Sequence, residues 1–294
     1  MKKKNLKTLA ACLCLSCTLL TGTLPTQAAA RTSVSQTAKS SSTVTNKKTH
    51  SGKGQASSSS SGTWKTTKGR HYYYNARGKK IKGKVKIGSR YYFFDKNGIQ
   101  RYGWKKIKNN YYFFRISTGT TGAYMLTSTT INGIALDASG RASKSSSNLR
   151  KLKLMTEANK IVEKISRPGM NKMQRLRASF DYVKKQYTYY CWREFRNPQD
   201  CEKDFAEDMF FRGGRGDCVS YAAAFAYLAN AVGMKKVYVI CSGGHGWAEI
   251  GGKVYDPDWA LVSSVDSYFA MSYDLSGVNG RPMYRGNRLY VKKV

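Results

Sequence analysis

The sequence predicts an α+β fold preceded by a solenoid of β-hairpin repeats and a disordered linker. Aromatic clusters recur in the first half of the chain, each followed by a glycine, and these glycines are spaced by 20 or 21 residues. Apolar residues at helical spacing begin near residue 150, and β-rich runs follow them. Helices that precede strands, instead of alternating with them, are typical of an α+β domain.

Charge is distributed unevenly along the 294 residues, which carry a formal net charge of +34. Residues 150–294 contain 24 Lys and Arg against 15 acidic residues. Residues 1–149 contain 27 Lys and Arg, and their two acidic residues are Asp95 and Asp137. Such a polycation attracts polyanions, namely nucleic acid, anionic lipid or a phosphate-rich cell-wall polymer, and charge alone does not choose among them.

The expected location of the protein reduces the number of possible polyanionic partners. Residues 1–30 predict a secretory signal peptide, with a lysine-rich start and an apolar run from Leu9 to Leu24. The alternative is an uncleaved membrane anchor, for which the run is short. Export predicts a secreted, cell-wall-associated protein without an integral membrane span after cleavage, and it excludes nucleic acid as the obvious partner. Residues 31–61, rich in Ser, Thr and Lys, predict a disordered linker.

Residues 62–142 repeat a unit that predicts strand, turn, strand and turn. One such hairpin is not stable alone, whereas stacked copies share a core. The glycines that follow the aromatic clusters stand at positions 78, 98, 119 and 140. The aromatic clusters are Tyr72–Tyr74, Tyr91–Phe94 and Tyr111–Phe114.

The pattern of these units, Gly-Trp, Tyr-Tyr-Phe and Asp-x-x-Gly, resembles the cell-wall-binding repeats of choline-binding and glucan-binding proteins. Trp64 and Trp104 fit it, and Val85 departs from it. The resemblance implies aromatic cages for choline or flat surfaces for sugars. The many Lys and Arg side chains disfavour a quaternary ammonium, so we expect an anionic teichoic-type polymer or a glycan as the partner. The alternative is that the aromatic residues only form the solenoid core.

A second short linker is expected at 141–150, before a domain at 150–294. Three helices are predicted there, from apolar faces over 152–165, 173–187 and 218–232. Asn171 is the expected N-cap of the second helix, and Gly233 ends the third. A strand is predicted at 237–240, and a β-hairpin at 247–256 turns through two glycines at 251–252.

Cys218 follows Gly213-Gly214-Arg215-Gly216-Asp217 and opens the Ala-rich helix. A cysteine at a helix N-terminus faces unsatisfied N–H groups and the positive end of the dipole, which lower a thiol pKa and favour a nucleophilic thiolate. The same N–H groups can hold an oxyanion, and the glycines let substrate approach the backbone. The charge of Asp217 opposes the thiolate unless Asp217 caps the helix. The alternatives for Cys218 are a small buried residue or a disulfide partner.

His245 is the single histidine of the C-terminal half, so it is the one candidate there for an imidazole base; the alternative is a structural histidine. One histidine and scattered cysteines have no zinc-ligand spacing, so we expect neither a metal nor a cofactor. The two-glycine turn places His245 opposite Asp258 and diagonal to Asp256. Pro257 cannot donate to the ladder and is expected to end it before Asp258, which favours Asp256 as the carboxylate that orients His245.

Together, Gly-Asp-Cys at the start of a helix, His-Gly-Trp and Asp-Pro-x-Trp, in this order, resemble the transglutaminase-like superfamily over residues 170–262. The resemblance implies a papain-like fold and places Cys218, His245 and Asp256 on the catalytic triad of that family. The departures are an insert at 190–212 and Asp258, where Thr is usual. Residues 263–294 match no motif.

The resulting hypothesis is a wall-targeted thiol enzyme that acts on amide bonds, as a cysteine peptidase, amidase or protein-glutamine acyltransferase with protein or peptide substrates. The rival hypothesis is a non-catalytic envelope-binding protein whose papain-like domain only recognises peptide. Cys191 and Cys201 are expected to form a disulfide across a polar loop of the exported domain.

Overall fold

Successive β-hairpins form the N-terminal part of the structure, a computed structural model that describes residues 62–115, 122–193, 201–263 and 268–294. The predicted signal peptide, the linker predicted at 31–61 and Gly119 lie outside the described residues. The expected strand-turn-strand pattern is confirmed by antiparallel hairpins. They pair β1 (Gly62–Thr67) with β2 (Arg70–Asn75), β3 (Gly83–Ile87) with β4 (Arg90–Phe94), β6 (Gly103–Ile107) with β7 (Asn110–Phe114) and β8 (Thr129–Ile131) with β9 (Ile134–Leu136); β5 (Gln100–Arg101) adds to β4.

A recurring turn follows three of these hairpins and explains the glycine spacing. The side chain of Asn75, Asp95 or Asp137 accepts the backbone N–H four residues further on, at 2.8–2.9 Å. The glycine three residues on donates its N–H to the backbone carbonyl of the same Asn or Asp at 2.9 Å and has a φ of +70 to +76°. Glycine adopts a positive φ without steric cost, so the repeated glycine marks the repeated turn.

Helices dominate the residues that follow: α1 (Ser146–Ile165), α2 (Lys172–Gln186), α3 (Cys201–Phe210), α4 (Cys218–Val232) and the short α5 (Trp259–Val262). α1 begins inside the segment that we expected to be a linker, because Ser145 accepts the N–H of Asn148 and caps the helix. α2 has the predicted N-cap, since Asn171 and Gln174 form a reciprocal capping box. Nothing in the sequence analysis predicts α3. Within the described ranges, no helix is both long and apolar enough to cross a membrane.

A four-stranded antiparallel sheet in the order β14-β13-β12-β15 packs on α4. Its strands are β12 (Val237–Cys241), β13 (Gly246–Ile250), β14 (Lys253–Tyr255) and β15 (Tyr290–Lys293). β13 and β14 form the predicted hairpin, with Ile250 paired to Lys253 across the glycine turn. β15 comes from the segment that matches no motif. Two short parallel strands, β10 (Thr188–Tyr189) and β11 (Arg215–Gly216), form a separate pair.

α4 lies at the centre of the hydrophobic core because it is apolar on almost every side. Of its 15 residues, 13 are buried, and α1, α2, α3 and the sheet all pack on it. Its N-cap and its left-handed C-cap at Gly233, with a φ of +93°, fix both ends. The helices and the antiparallel sheet together confirm the α+β prediction.

The core continues from the helices into the β6–β7 hairpin. Trp104 on β6 is 1% exposed and belongs to the same buried cluster as Leu152 and Met155 of α1. Beside it, Lys105 forms an ion pair with Glu163 of α1, with 2.6 Å between Nζ and Oε1. The third repeat is therefore joined to the helical part by apolar and ionic contacts, within a compact unit that spans residues 56–294.

Candidate active site

Cys218 is the first residue of α4, and its neighbours fix the geometry of that helix end. Asp217 is the N-cap residue: its carboxylate accepts hydrogen bonds from the backbone N–H of Ser220 at 3.0 Å and from the Ser220 hydroxyl at 3.3 Å. Gly216 is required beside it, because a Cβ there would lie 2.3 Å from the Oγ of Ser220. Asp217 therefore does cap the helix that Cys218 opens.

His245 lies directly before β13, and close packing of β13 on α4 brings it to Cys218. A Cβ on Gly246 would lie 2.9 Å from the Cα of Val219 and 2.6 Å from its Cγ2, so a larger residue would push the strand away. Glycine at position 216 thus leaves room for Ser220, and glycine at position 246 leaves room for Val219. The glycines before Cys218, which include Gly216, were expected to serve the approach of substrate.

Asp256 follows β14 and is fully buried. Pairing between β13 and β14 ends at Tyr255, and the N–H of Asp256 donates to the carbonyl of Tyr268 instead. The Oδ2 of Asp256 lies 2.6 Å from the Nε2 of His245, and its Oδ1 accepts the N–H of Trp259 at 3.0 Å. Asp256 is therefore the carboxylate that holds the imidazole.

The three predicted site residues and Asp258 converge in one place. One donor atom from each of Cys218, His245 and Asp258 lies within 4.8 Å of the other two. Because Nε2 of His245 faces Asp256, Nδ1 is the imidazole nitrogen left to accept a proton from the thiol. The arrangement can therefore pass a proton from the thiol of Cys218 to an imidazole whose orientation a carboxylate fixes.

Burial dominates the electrostatics of this cluster. It raises the pKa of the Cys218 thiol well above its ordinary value, and the charges of Asp217 and Asp258 add to the effect. The position of Cys218 at a helix N-terminus predicts a lowered thiol pKa, but burial and the two carboxylates outweigh the helix terminus. Burial disfavours the charged form of His245, but the charge and hydrogen bond of Asp256 outweigh it and raise the pKa of the imidazole. Burial and the charge of Asp256 raise the pKa of Asp258 to about 7.

The segment that contains these residues matches a known family. Residues 159–262 match the family model described as the transglutaminase-like superfamily, and they include Cys218, His245 and Asp256. The C-terminal part of the chain contains a transglutaminase-like domain. The motif resemblance and the fold class that it implies are thereby confirmed.

Solved structures similar to the N-terminal region come from choline-binding proteins. The choline binding domain of Spr1274 from Streptococcus pneumoniae is 24% identical, covers 28% of this chain and 93% of its own, and has a TM-score of 0.24. Choline binding protein F of the same organism is 20% identical, with 28% and 26% covered and a TM-score of 0.25. The Cpl-1 endolysin of phage Cp-1 is 22% identical, with 30% and 26% covered and a TM-score of 0.26. This chain thus spans about a quarter of the last two. No curated protein matches it.

Tyr284 lies beyond the matched segment of the transglutaminase-like domain, yet it completes the surroundings of Asp256. Its hydroxyl donates to the Oδ2 of Asp256 at 2.6 Å, the same oxygen that pairs with His245, and its side chain is fully buried. Its ring lies edge-on to His245 and Trp247, with centroids 5.9 and 5.2 Å apart. No local signal in the sequence marks Tyr284, because the contact depends on the path of the chain after residue 268.

Residues 188–193 form an arm beside the loop at 213–217, which precedes Cys218. Backbone N–H groups of the arm donate to carbonyls of Gly214 and Gly216 at 2.9–3.0 Å. Arg193, at its end, forms a bidentate ion pair with the buried Asp208 of α3, with both distances 2.7 Å. The sequence analysis treated this region as part of an insert, and the ion pair shows that α3 holds it in place. The more exposed aromatic side chains of the arm are Tyr190 and Trp192.

The predicted disulfide between Cys191 and Cys201 is wrong: no disulfide joins them within the described residues. Cys191 is exposed on the arm, whereas Cys201 is buried at the start of α3 beside Phe205 in the main core. Burial raises the pKa of Cys201 to about 12, although its hydrogen bond with Tyr290 opposes the shift. The segment expected to be a loop becomes helical at Cys201, which places that thiol in the core.

We expect Asp256→Asn to slow alkylation of Cys218 by chloroacetamide by about 10²-fold or more, because the imidazole loses the carboxylate that fixes its tautomer. Asp258→Asn is expected to change this rate by less than about tenfold, since Asp258 does not hold the imidazole. The second-order rate constants are measured by mass spectrometry of the intact protein. A larger loss for Asp258→Asn would contradict the assignment.

We expect Tyr284→Phe to slow the same alkylation by about tenfold, because Asp256 loses one of its buried donors and holds His245 less firmly. Tyr273→Phe is the matched control, since its hydroxyl contacts Trp247 and Glu249 and not Asp256. The alkylation rate and the melting temperature are measured for both variants. Equal rates for the two variants would show that Tyr284 has no specific effect on the site.

Proposed function

We propose that the transglutaminase-like domain is a thiol enzyme acting on amide bonds of proteins or peptides at the cell wall. In this proposal Cys218 is the nucleophile, His245 the base and Asp256 the residue that orients His245. The observation that carries it is the 2.6 Å contact between His245 and a fully buried Asp256 in a cluster that also contains the Cys218 thiol. Cys-His-Asp acyl transfer requires this arrangement of a thiol, a base and an orienting carboxylate.

In the first step, the proton of the Cys218 thiol moves to Nδ1 of His245 while the sulfur attacks the carbonyl carbon. The carbon–sulfur bond forms, and the π pair of the carbonyl moves to its oxygen. The N–H groups of Ser220 and Tyr221 are bonded to Asp217, so in this proposal the backbone N–H of Cys218, at the N-terminus of α4, stabilises that oxyanion. Asp256 stabilises the imidazolium, which then gives its proton to the amine leaving group as the carbon–nitrogen bond breaks. Water resolves the thioester in hydrolysis and an amine resolves it in transfer; hydrolysis is the default outside the cell, where water is abundant.

The arm at 188–193 is the part of the site that suits a peptide. Tyr190 and Trp192 are 55% and 49% exposed. The backbone of the arm is hydrogen-bonded to the loop at 213–217, which precedes Cys218. Rigid aromatic side chains offer a large contact area with little loss of conformational entropy. Because Arg193 is paired with Asp208, the arm is positioned before substrate arrives.

We propose that residues 62–142 attach the exported protein to an anionic wall polymer. Several tyrosines of the repeats have the protein's own cations over their faces: Lys84 lies 4.2 Å from the ring centroid of the buried Tyr112, and Arg90 lies 4.1 Å from that of the half-buried Tyr124. Other rings are buried in the hairpin core, in agreement with the alternative that they are structural. A quaternary ammonium would compete with these cations for the rings, whereas a polyanion is attracted by them.

We expect Cys218→Ala to abolish the release of peptides, or the formation of new cross-links, when the full mature chain is incubated with isolated walls. The reason is that Cys218 is the described thiol that clusters with His245 and Asp258. Cys241→Ser is the matched control, since Cys241 is buried on β12, and it is expected to keep most of the activity. Products are identified by mass spectrometry, and circular dichroism checks folding. Release by Cys218→Ala would refute the mechanism, and wall binding by the unmodified protein without any product would favour the non-catalytic rival.

We expect wall binding by the full-length Cys218→Ala protein to weaken steeply between 50 and 500 mM salt, because exposed charges are screened over about 8 Å at physiological ionic strength. Bound protein is measured after pelleting isolated walls. Walls stripped of teichoic-type polymer should bind much less. Binding that resists salt but is competed away by free choline would indicate an aromatic cage instead, and salt-resistant binding to stripped walls would indicate a glycan.

A further inference from the structure

We propose that Cys218, His245 and Asp258 form a binding site for Zn²⁺, and that bound Zn²⁺ reversibly blocks the Cys218 thiol. A sulfur, an imidazole nitrogen and a carboxylate oxygen of these residues lie within 4.8 Å of one another. They come from the start of α4, the loop before β13 and the residue before α5, so the fold assembles a set that has no zinc-ligand spacing in the sequence.

The chemistry of the three donors selects the metal. Thiolate, imidazole and carboxylate are ligands of zinc, whereas magnesium and calcium are bound by oxygen. Bond lengths in a tetrahedral zinc site place the donors roughly 3.5 Å apart, so donors that lie within 4.8 Å of one another have to close by about 1 Å at most. The Asp258 side chain makes no capping hydrogen bond to α5, so its movement towards the ion breaks none. With three protein ligands, water takes the fourth position.

The contacts of His245 also resemble those of a histidine that binds zinc. A histidine that binds zinc through one nitrogen usually gives the other N–H to a carboxylate, which fixes the ring and raises its basicity. Nε2 of His245 lies 2.6 Å from Asp256, and that carboxylate is held in turn by Tyr284 at 2.6 Å. The ring is therefore oriented with Nδ1 on the side away from Asp256, as a zinc ligand would be.

Binding changes the protonation of the site without any redox step. Zn²⁺ forms a bond to the sulfur of Cys218 and displaces the thiol proton to solvent, and a chelator reverses both changes. Cys218, His245 and Asp258 are all half-buried, so an ion can reach them. The block of the thiol matters for activity only if the proposed function holds, whereas the binding of Zn²⁺ does not depend on it.

The test is titration of the tag-free, full mature chain with Zn²⁺ by isothermal calorimetry, together with the absorption spectrum of the protein with Co²⁺. We expect one Zn²⁺ per chain and a thiolate-to-cobalt charge-transfer band. Cys218→Ala should abolish the band, and Asp258→Asn should weaken Zn²⁺ binding by at least tenfold. Asp181→Asn is the matched control, because Asp181 lies on α2 in an exposed ion pair with Arg177, and it should bind Zn²⁺ as the unmodified chain does.

The results of these Zn²⁺-binding experiments test the zinc site independently of whether the protein is an enzyme. Absence of Zn²⁺ binding at millimolar concentration, or equal affinity of Asp258→Asn and the unmodified chain, would overturn the zinc site whatever the protein does to walls. Zinc binding that protects Cys218 from chloroacetamide, with full labelling restored by EDTA, would support the site even if no amide substrate were cleaved.

Discussion

A carboxylate removed from water has to be satisfied by donors of the protein, and Asp256 receives them from three directions. His245 comes from the loop before β13, Tyr284 from the C-terminal segment, and the N–H of Trp259 from the start of α5. One buried side chain thereby fixes the relative positions of three segments that are distant in sequence. The orientation of His245 is thus also a requirement of stability, since loss of any one donor would leave part of a buried charge without a partner.

Elements with local signals could be predicted from the sequence, and those without could not. The capping box at Asn171, the long apolar helix at 218–232 and the two-glycine hairpin each depend on residues within one element. α3 could also have been predicted from the sequence, because its apolar residues Cys201, Phe205 and Met209 recur every four residues and are buried on one face of the helix. Because the segment between Cys191 and Cys201 is polar, we instead expected a loop closed by a disulfide between them. The helix that begins at Cys201 places this thiol in the core.

Some residues of the candidate site could likewise be predicted from local motifs, whereas others could not. Cys218, His245 and Asp256 belong to short motifs whose order in the chain suggested one site. The approach of Asp258 to the cluster and the contact from Tyr284 depend on where the β13–β14 ladder stops and on how the chain returns after residue 268. Strand alternation alone could not give these distances, because the ladder ends at Tyr255 and the backbone then turns into α5.

The magnitudes of two opposing effects determine how the thiol has to be activated. A helix N-terminus stabilises a nearby anion by about 0.3–1 kcal/mol at exposed sites, and by up to about 2 kcal/mol in partly buried ones. Full burial shifts a pKa by up to about 3–5 units, and each unit corresponds to about 1.4 kcal/mol. At Cys218, partial burial and the charges of Asp217 and Asp258 together outweigh the helix terminus, in agreement with the raised pKa of its thiol. In the proposed mechanism, a thiol that is protonated at rest needs His245 to accept its proton during the attack. That base must already be the tautomer with its proton on Nε2, donated to Asp256, and with Nδ1 ready to accept. In this proposal, the orientation of His245 by Asp256 is what allows a thiol that is protonated at rest to act as a nucleophile.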